Sequence, residues 1–394
     1  MKKIFYRIYL VIKNLIFCGL FLTLIIGFLA YISPAFRNYE DGATESVLST
    51  FYEEDKDSAD VVFVGSSALY RFIAPTQLYD KYGIVSLNYA SPAMDVNAMP
   101  GLIDEIIDYQ HPKVIVLEMR NYVNNCKNHI ENIEYTENDK LERESFFRKL
   151  INNMPLSFNR MKVIHDTVTN TFEQDEYEWQ FEYSTTHHNW KNLSFSDLME
   201  FVEAKSEFEL VTHPDPDSLY KGEYYKGTIA TRSIFSNPSV DFTNYEERKE
   251  ITGEWRDTLM RIVKKAKTCG TEVLFFTSPY PIDAERAAYE NSMGDILKSE
   301  GLKFLNGNKL IKKMNINFST DFYDDKHTNI NGMVKVTDYV GQYLIDTYGL
   351  KESDLSDEQR ESWDYATEKW IAEVREPGLE KVRKYALKLQ ESES

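Results

Sequence analysis

The sequence predicts an α/β fold built on a parallel β-sheet, and three observations support this prediction. Short apolar runs rich in β-branched side chains recur along the chain, as is typical of strands buried on both faces. Segments with helical periodicity separate most of these runs. Some runs end in small polar residues, which open α/β sheets place at the carboxyl edge where their sites lie. We therefore expect βαβ units with right-handed crossovers.

The N-terminal segment is predicted to be a membrane anchor. Leu15–Ile32 is an almost unbroken apolar run without charge. Four basic residues precede it: Lys2, Lys3, Arg7 and Lys13. Because about 20 apolar residues cross a bilayer, residues 1–37 are predicted to form a cytoplasmic stub and anchor, with the rest of the chain extracytoplasmic. A cleavable signal peptide is the competing interpretation, but Pro34 lies where cleavage is expected.

The charge balance excludes some classes of partner. The chain has 45 basic and 63 acidic side chains, a formal charge of −18. Since the four basic residues above are the only charged ones before Ser33, the remainder carries a formal charge of −22. So acidic a surface argues against nucleic acid as a partner and against broad docking onto an anionic polymer or lipid surface.

The three cysteines indicate neither a disulfide framework nor a metal site. Cys18 lies in the predicted anchor, and Cys126 and Cys269 are isolated in sequence. One disulfide between them stays open but is not required. No metal-ligand spacing joins the three, and we expect no cofactor.

The remaining elements are predicted in chain order. A polar juxtamembrane stalk covers residues 38–58 and contains a short helix around Glu45–Tyr52. The predicted strands are Val61–Gly65, Ile84–Tyr89, Val114–Leu117, Glu272–Thr277 and Lys303–Leu305. The predicted helices are Leu69–Tyr82 with an interruption at Pro75, Asp95–Tyr109, Tyr245–Lys267, Ala284–Glu300 and Ile330–Tyr348. Residues 59–350 thus form the α/β domain, and residues 351–394 form a peripheral helical tail split at Pro377-Gly378.

The middle of the chain, residues 125–244, lacks regular βα alternation and is predicted to be an insertion of helices and long loops. Its segment Thr186-His187-His188-Asn189-Trp190 has two interpretations. It is either a surface turn with a stacked tryptophan or a substrate-facing lip in which His188 and Trp190 contact the substrate. His187 and His188 are adjacent rather than one helical turn apart, so the pair does not predict a metal site.

Two distant segments predict a catalytic centre. The run Val61–Gly65 leads to Ser67, a candidate nucleophile, although a hydroxyl at this place also serves to cap a helix. A serine nucleophile needs a base, and the base needs an orienting acid. Only His327 combines a carboxylate three residues earlier, Asp324, with an Asn/Gly-rich approach to a helix. Asp325 is the alternative orienting acid, and both carboxylates are also explained as charges before a helix N-terminus.

In this order, the two segments resemble the SGNH (GDSL-like) hydrolase superfamily. That superfamily carries its nucleophile after the first strand and a D-x-x-H motif near the C-terminus. The resemblance of Val61–Ser67 to the first block and of Asp324–Gly332 to the last implies a triad of Ser67, His327 and Asp324. It also implies a three-layer α/β/α sheet of the flavodoxin-like type.

The second and third blocks of the superfamily are matched less closely. Asn88-Tyr89-Ala90 and Val114–Asn121 lie where these blocks are expected. The resemblance then implies an oxyanion hole formed by the N–H groups of Ser67 and Ala90 and by the Asn121 side chain. Ser66 replaces the usual Asp, Ala90 the usual Gly, and the third block lacks the Gly-x-Asn-Asp pattern. Arg120 is a candidate contact for an anionic group of the substrate.

The Gly-Ser-Ser start, the D-x-x-H-x-N-x-x-G segment and the anchor are similar to one branch of that superfamily. Its members are membrane-anchored proteins that serve D-alanylation of teichoic acids and O-acetylation of exopolysaccharides. The similarity implies a serine esterase or O-acyltransferase acting on an acylated envelope polysaccharide or teichoic acid, with a membrane-bound acyltransferase as partner. The alternative hypothesis, motivated by the altered blocks, is a catalytically silent binding or scaffold subunit of an envelope-polymer modification or export assembly.

Overall fold

The computed structural model describes residues 2–32, 42–130, 147, 149–155, 157–170, 218–219 and 225–393. The chain divides into two units, the first of which contains helix α1, Lys2–Ile32. Within α1, Phe5–Phe28 has a mean hydropathy of 2.2 and is long and apolar enough to cross a membrane. Among the described helices, α1 is therefore the one candidate span, by length and composition.

The second unit, Asp41–Glu176 and Thr212–Ser394, is built around a five-stranded parallel sheet. Its strands are β1 Val61–Gly65, β2 Ser86–Ala90, β3 Val114–Glu118, β4 Glu272–Thr277 and β5 Lys303–Asn306. They lie in the order β2-β1-β3-β4-β5, which is the order of flavodoxin-like doubly wound sheets. The predicted α/β fold with a parallel sheet is confirmed. The predicted strand bounds agree with the observed ones to within two residues.

Helices cover both faces of the sheet. Successive strand side chains point to opposite faces, and because β1, β2 and β3 are buried throughout, each face needs a layer of helices. The α-helices of this unit with both ends described are α2 Gly42–Glu53, α3 Ser67–Phe72, α4 Pro75–Tyr82, α5 Met99–Gln110, α6 Arg120–Ile130, α7 Phe158–Asn170, α8 Gly253–Thr268, α9 Ala284–Ser299, α10 Ile330–Tyr348, α11 Asp357–Lys369 and α12 Glu376–Glu393. Val62 of β1 shares one apolar core with Leu102 of α5. Its neighbour Phe63 shares the opposite core with Val340 of α10. The sheet is thus the middle of three layers.

The helix predicted within a juxtamembrane stalk belongs instead to the α/β unit. It is α2, and it packs against β2. Val47, Leu48 and Phe51 on α2 are fully buried. Three buried apolar side chains within five residues explain why this segment folds onto the sheet rather than extending from it.

The helix predicted to begin at Tyr245 begins at Gly253 as α8. The preceding residues run along α9 in a non-helical conformation. Asn291 on α9 donates to the carbonyls of Tyr245 and Glu247 at 3.0 and 2.8 Å, and Ser292 accepts from the Lys249 N–H at 3.1 Å. Because α9 satisfies these backbone groups, the segment has no need of helical hydrogen bonds.

The C-terminal tail, predicted to be peripheral, is an integral part of the unit. Trp363 and Trp370 are 1% and 0% exposed. Trp370 and Val374 form a small core with Ile330 and Met333 of α10. Although the tail is highly charged, its tryptophans bury it against the fold, and its Arg375 pairs with Asp80 of α4.

The predicted split of the tail at Pro377-Gly378 is wrong, because the helix continues through both residues. A π-helical turn, Trp370–Arg375, immediately precedes α12. A widened turn avoids the clash between a proline ring and the carbonyl four residues earlier. Gly378 is needed for close approach, since a Cβ there would lie 2.2 Å from the Cγ2 of Ile330.

Most of the predicted insertion, including His187, His188 and Trp190, lies outside the described residues. Its described parts are α6 beyond residue 125, the helix that ends near residue 153, α7, and a short antiparallel ribbon of Ser218–Leu219 with Ala230–Thr231. Cys18, Cys126 and Cys269 are free thiols.

Candidate active site

Ser67 lies at the carboxyl edge of the sheet, between a buried strand and a short helix. β1 ends at Gly65, and α3 begins at Ser67. A Cβ on Gly65 would lie 2.7 Å from the Cβ of Glu118 on β3, so glycine is required for this close approach of strand ends. The side chain of Ser66, the N-cap of α3, makes no capping hydrogen bond. The helix-capping explanation of the Gly-Ser-Ser sequence therefore fails.

Asp324 and His327 lie on a tight turn that approaches the same edge. The N–H of Tyr323 donates to the carbonyl of His327 at 3.1 Å and closes the turn. One oxygen of Asp324, Oδ1, accepts from the N–H groups of Lys326 and His327, both at 2.7 Å. Its other oxygen, Oδ2, lies 2.8 Å from His327 Nδ1. The carboxylate thus organises the turn and orients the imidazole.

The turn ends before the helix that follows it. Asn329 is the N-cap of α10, and its Oδ1 accepts from the N–H groups of Asn331 and Gly332. His327 therefore lies outside the helix, and the alternative that places it in the first helical turn is wrong. Asp325 is exposed and is not the hydrogen-bond partner of the imidazole.

The two segments meet, although 260 residues separate them. Ser67 Oγ lies 2.9 Å from His327 Nε2. Hydroxyl, imidazole and carboxylate therefore form one hydrogen-bonded line from Ser67 through His327 to Asp324. Both distances lie within the range expected for a nucleophile, its base and an orienting acid.

The electrostatics of the line fix its protonation state. Burial alone would raise the pKa of Asp324, but the hydrogen bonds from His327 and two backbone N–H groups outweigh it and lower the pKa to about 2. Burial lowers the pKa of His327 to about 4, with Arg120 and Arg71 acting in the same direction against Asp324. At neutral pH the carboxylate is thus ionised and the imidazole neutral. Nδ1 must carry the proton, which leaves Nε2 to accept from Ser67.

Further residues of the D-x-x-H-x-N-x-x-G segment hold the turn in place. Asn329 is fully buried, and its Nδ2 donates to the carbonyls of Ser233, Thr320 and Phe322. A Cβ on Gly332 would lie 2.3 Å from the carbonyl oxygen of Asp321. The motif therefore supplies the cap and the close contact that fix α10 behind the turn.

Two side chains hold carbonyl groups of this turn, and the sequence predicted this role for neither of them. Arg120 Nη1 donates to the carbonyl of Lys326 at 2.6 Å. Asn237 Nδ2 donates to the carbonyl of Asp324 at 2.8 Å. Asn237 lies in the predicted insertion, where no sequence signal marks it. Arg120 was a candidate substrate contact, but it is 4% exposed.

The predicted oxyanion-hole residues share the edge but are not all directed to Ser67. Gly65 and Ala90 are paired in register, so β1 and β2 end side by side. Ala90 is fully buried. Asn121, the second residue of α6, donates through Nδ2 to the carbonyl of Met94 at 3.2 Å. The N–H of Ser67, in the first turn of α3, has no intrahelical acceptor.

The described residues contain no group of three or more His, Cys, Asp and Glu side chains arranged to hold a metal ion. No model of a known protein family matches the chain. No curated protein matches it in sequence either. The functional argument therefore rests on the geometry of the site.

Proposed function

We propose that the chain is a membrane-anchored, extracytoplasmic serine esterase or O-acyltransferase of the SGNH type. One observation carries the proposal: Ser67, His327 and Asp324 form a hydrogen-bonded line at the carboxyl edge of a parallel sheet. A neutral imidazole between a hydroxyl and an ionised carboxylate is the arrangement that activates a serine. The flavodoxin-like strand order and the position of Ser67 after β1 are in keeping with the SGNH type.

In the first step Ser67 Oγ attacks the acyl carbonyl of the substrate, and His327 Nε2 takes the hydroxyl proton. The resulting imidazolium is stabilised by the Asp324 carboxylate. The tetrahedral intermediate then expels the alcohol of the ester, which takes the proton from Nε2. An acyl group remains on Ser67.

In the second step water or a glycan hydroxyl attacks the acyl-serine, and His327 Nε2 takes its proton. The second tetrahedral intermediate then breaks the bond between the acyl carbon and Ser67 Oγ, and Oγ takes the proton back from Nε2. Water completes an esterase cycle, and a hydroxyl completes acyl transfer. The N–H groups of Ser67 and Ala90 and the amide of Asn121 are the proposed donors to the oxyanion. An amide nitrogen carries two N–H groups, and the carbonyl of Met94 accepts from one of them.

The proposed substrate is an acylated envelope polysaccharide or teichoic acid. Helix α1 supports this proposal, because an anchored domain acts on what lies at the membrane surface. The resemblance to proteins of teichoic-acid D-alanylation and exopolysaccharide O-acetylation supports it as well. A membrane-bound acyltransferase is the proposed partner, since it would supply the acyl group.

A serine-directed fluorophosphonate probe tests the proposal on the full chain in detergent micelles. We expect covalent labelling at Ser67 together with hydrolysis of p-nitrophenyl acetate, and loss of both in Ser67→Ala and His327→Ala. Ser66→Ala is the matched control, because this neighbouring hydroxyl makes no capping contact, and labelling should persist. Labelling that survives in Ser67→Ala contradicts the proposal.

The engaged amide of Asn121 favours a second candidate, a catalytically silent binding or scaffold subunit. In that case the folded wild-type chain would neither label nor hydrolyse the ester. Binding of an acylated glycan without turnover, measured by calorimetry, would then distinguish this candidate.

A further inference from the structure

The buried guanidinium of Arg120 has no role in the steps above. Its Nη1 donates to the carbonyl of Lys326 at 2.6 Å. Its guanidinium carbon lies 4.6 Å from the ring centroid of Tyr280 and 5.7 Å from that of Phe72. Within the described part of the chain, no carboxylate lies within ion-pair distance of the guanidinium. Its charge does act on the buried carboxyl of Glu118 on β3, because burial raises the pKa of Glu118 and Arg120 opposes that rise. A buried cation without a directly paired carboxylate is destabilising unless other contacts offset its lost hydration.

The position of this contact suggests why the cation is there. Lys326 immediately precedes His327, so Arg120 holds the backbone one residue from the imidazole. Asn237 holds the carbonyl of Asp324 on the other side of the turn. If Arg120 is lost, Asn237 is the one described side chain that still donates a hydrogen bond to a carbonyl of residues 324–326. The imidazole is then held less firmly against Ser67.

We propose that Arg120 is a positioning residue, which acts through the carbonyl of Lys326 to hold His327 Nε2 in line with Ser67 Oγ. This inference rests on the proposed function for its consequence in turnover. It concerns a residue whose guanidinium bonds to the backbone beside the imidazole, and it replaces the expectation that Arg120 binds an anionic group of the substrate.

The charge of Arg120 has a second consequence. Three charged groups act on the imidazole: Asp324 on the same turn, Arg120 on α6 and Arg71 on α3. The ring of Tyr323 stacks on it at 5.7 Å. After burial, Arg120 is the strongest of the influences that lower the pKa of His327. Arg120 therefore helps to keep the imidazole neutral and able to accept a proton.

A purely space-filling role between Tyr280 and Phe72 is the alternative, and two variants separate the roles. Arg120→Met keeps an unbranched apolar stem but loses the charge and the donor. Arg120→Lys keeps the charge but not the planar fork of donors. Space filling predicts that both variants leave the titration of His327 unchanged.

Two readouts on the full chain in detergent micelles test the proposal. The first is the rate of fluorophosphonate labelling at Ser67. The second is the pH dependence of ethoxyformylation at His327 by diethyl pyrocarbonate, followed by peptide mass spectrometry. The reagent modifies the neutral imidazole, so the midpoint of the pH dependence of modification gives the pKa of His327. This measurement needs no turnover. For the wild type we expect a midpoint at about pH 4.

In Arg120→Met we expect labelling at pH 7 to slow about 100-fold, because the imidazole is misplaced. We also expect the midpoint at His327 to rise by about one pH unit, because a nearby cation is lost. In Arg120→Lys, labelling slows while the midpoint stays near that of the wild type. Arg261→Met is the control, since Arg261 donates to Asn97 and Thr258 rather than to the turn, and both readouts should stay unchanged.

Labelling of Arg120→Met at the wild-type rate overturns the positioning proposal, and an unchanged midpoint in that variant overturns the effect of the Arg120 charge on His327. If Arg120→Met does not fold, wild-type labelling by Arg120→Lys overturns the positioning proposal. A wild-type chain that does not label at all contradicts the proposed function instead. The midpoint at His327 then still decides whether Arg120 acts on the imidazole.

Discussion

Ser67 and His327 lie 2.9 Å apart, yet the chain holds them in different ways. Ser67 is placed by its immediate neighbours, because β1 ends at Gly65 and α3 begins two residues later. The strand, the turn and the helix are all within a dozen residues. The position of Ser67, the proposed nucleophile, is therefore encoded locally.

His327 is placed by residues from several parts of the chain. Arg120 and Asn237 hold carbonyls of its turn. Thr328, its neighbour, donates to the carbonyl of Arg71 at 2.5 Å. Asn329 donates to Ser233 in addition to nearby carbonyls. His327, the proposed base, is therefore held by tertiary contacts. Substitutions near Ser67 and substitutions near His327 should accordingly have different effects.

The largest expected effect comes from the acid that orients the base. Asp324→Asn should lower ester hydrolysis by about 10⁴-fold, because an amide no longer selects the tautomer with the proton on Nδ1. Asp325→Asn, the adjacent exposed carboxylate, is the control and should hydrolyse p-nitrophenyl acetate at the wild-type rate. Equal losses in the two variants would mean that the turn differs from the one described.

A second prediction concerns the free energy of unfolding at low pH, which should depend on His327. His327 has a pKa of about 4 in the folded chain against 6.5 for an exposed histidine, so the unfolded chain takes up a proton first as the pH falls. Stability is full above pH 6.5 and is lost towards pH 4, by about 3 kcal/mol. Urea unfolding at pH 7 and pH 4 should show this loss in the wild type and in Ser67→Ala, but not in His327→Gln. A loss retained in His327→Gln must come from another group.

A third prediction compares two helix caps. Asn329→Ala should lower the free energy of unfolding by about 2 kcal/mol, since it removes a cap and leaves buried carbonyls without donors. Ser356, the cap of α11, has a capping box but lies at the surface, and Ser356→Ala should cost about 1 kcal/mol. Urea unfolding measures both changes. Only Asn329→Ala is expected to slow fluorophosphonate labelling, because only this cap lies beside the turn of His327. Equal labelling rates in the two variants would contradict a role of Asn329 in placing that turn.

The smallest expected effect tests the local side of the comparison. Gly65→Ala places a methyl group against Glu118, and it should lower the free energy of unfolding by about 1 kcal/mol. Labelling should slow about tenfold, because the strand end that carries Ser67 moves. Gly301→Ala, at a turn with φ of +78° and open space around it, should lose similar stability without slowing labelling. The comparison fails if the two variants label equally.

The same contrast explains what the sequence was able to predict. The strands, Ser67 and the Asp324–His327 spacing are local patterns, and the sheet and the line of contacts follow them closely. Arg120 was recognised only as a charge after β3, because nothing in its neighbourhood indicates that it reaches Lys326, 206 residues away. Asn237 lies in a segment without periodicity, so no pattern marks it.

The errors in the fold have the same origin. Helix α2 is short and polar in composition, and its burial depends on the sheet that it meets. The tail is charged, and its two buried tryptophans pack against segments that are distant in the sequence. Trp370 lies in the small core with Ile330 of α10, and the ring of Trp363 packs against Tyr79 of α4. Residues 245–252 lack helix because α9 satisfies their backbone. Each of these outcomes depends on partners that local periodicity does not contain.

The separation of 260 residues between Ser67 and His327 has a consequence for biosynthesis. Synthesis at roughly 5–20 residues per second places the two residues on the order of tens of seconds apart. Until residue 327 has been made, a nascent chain carries Ser67 without the imidazole that lies beside it in the folded chain. The close approach of Gly378 to Ile330, which packs α12 against the helix behind the turn, forms later still. The activation of Ser67 proposed above therefore follows the synthesis of its base and cannot precede it.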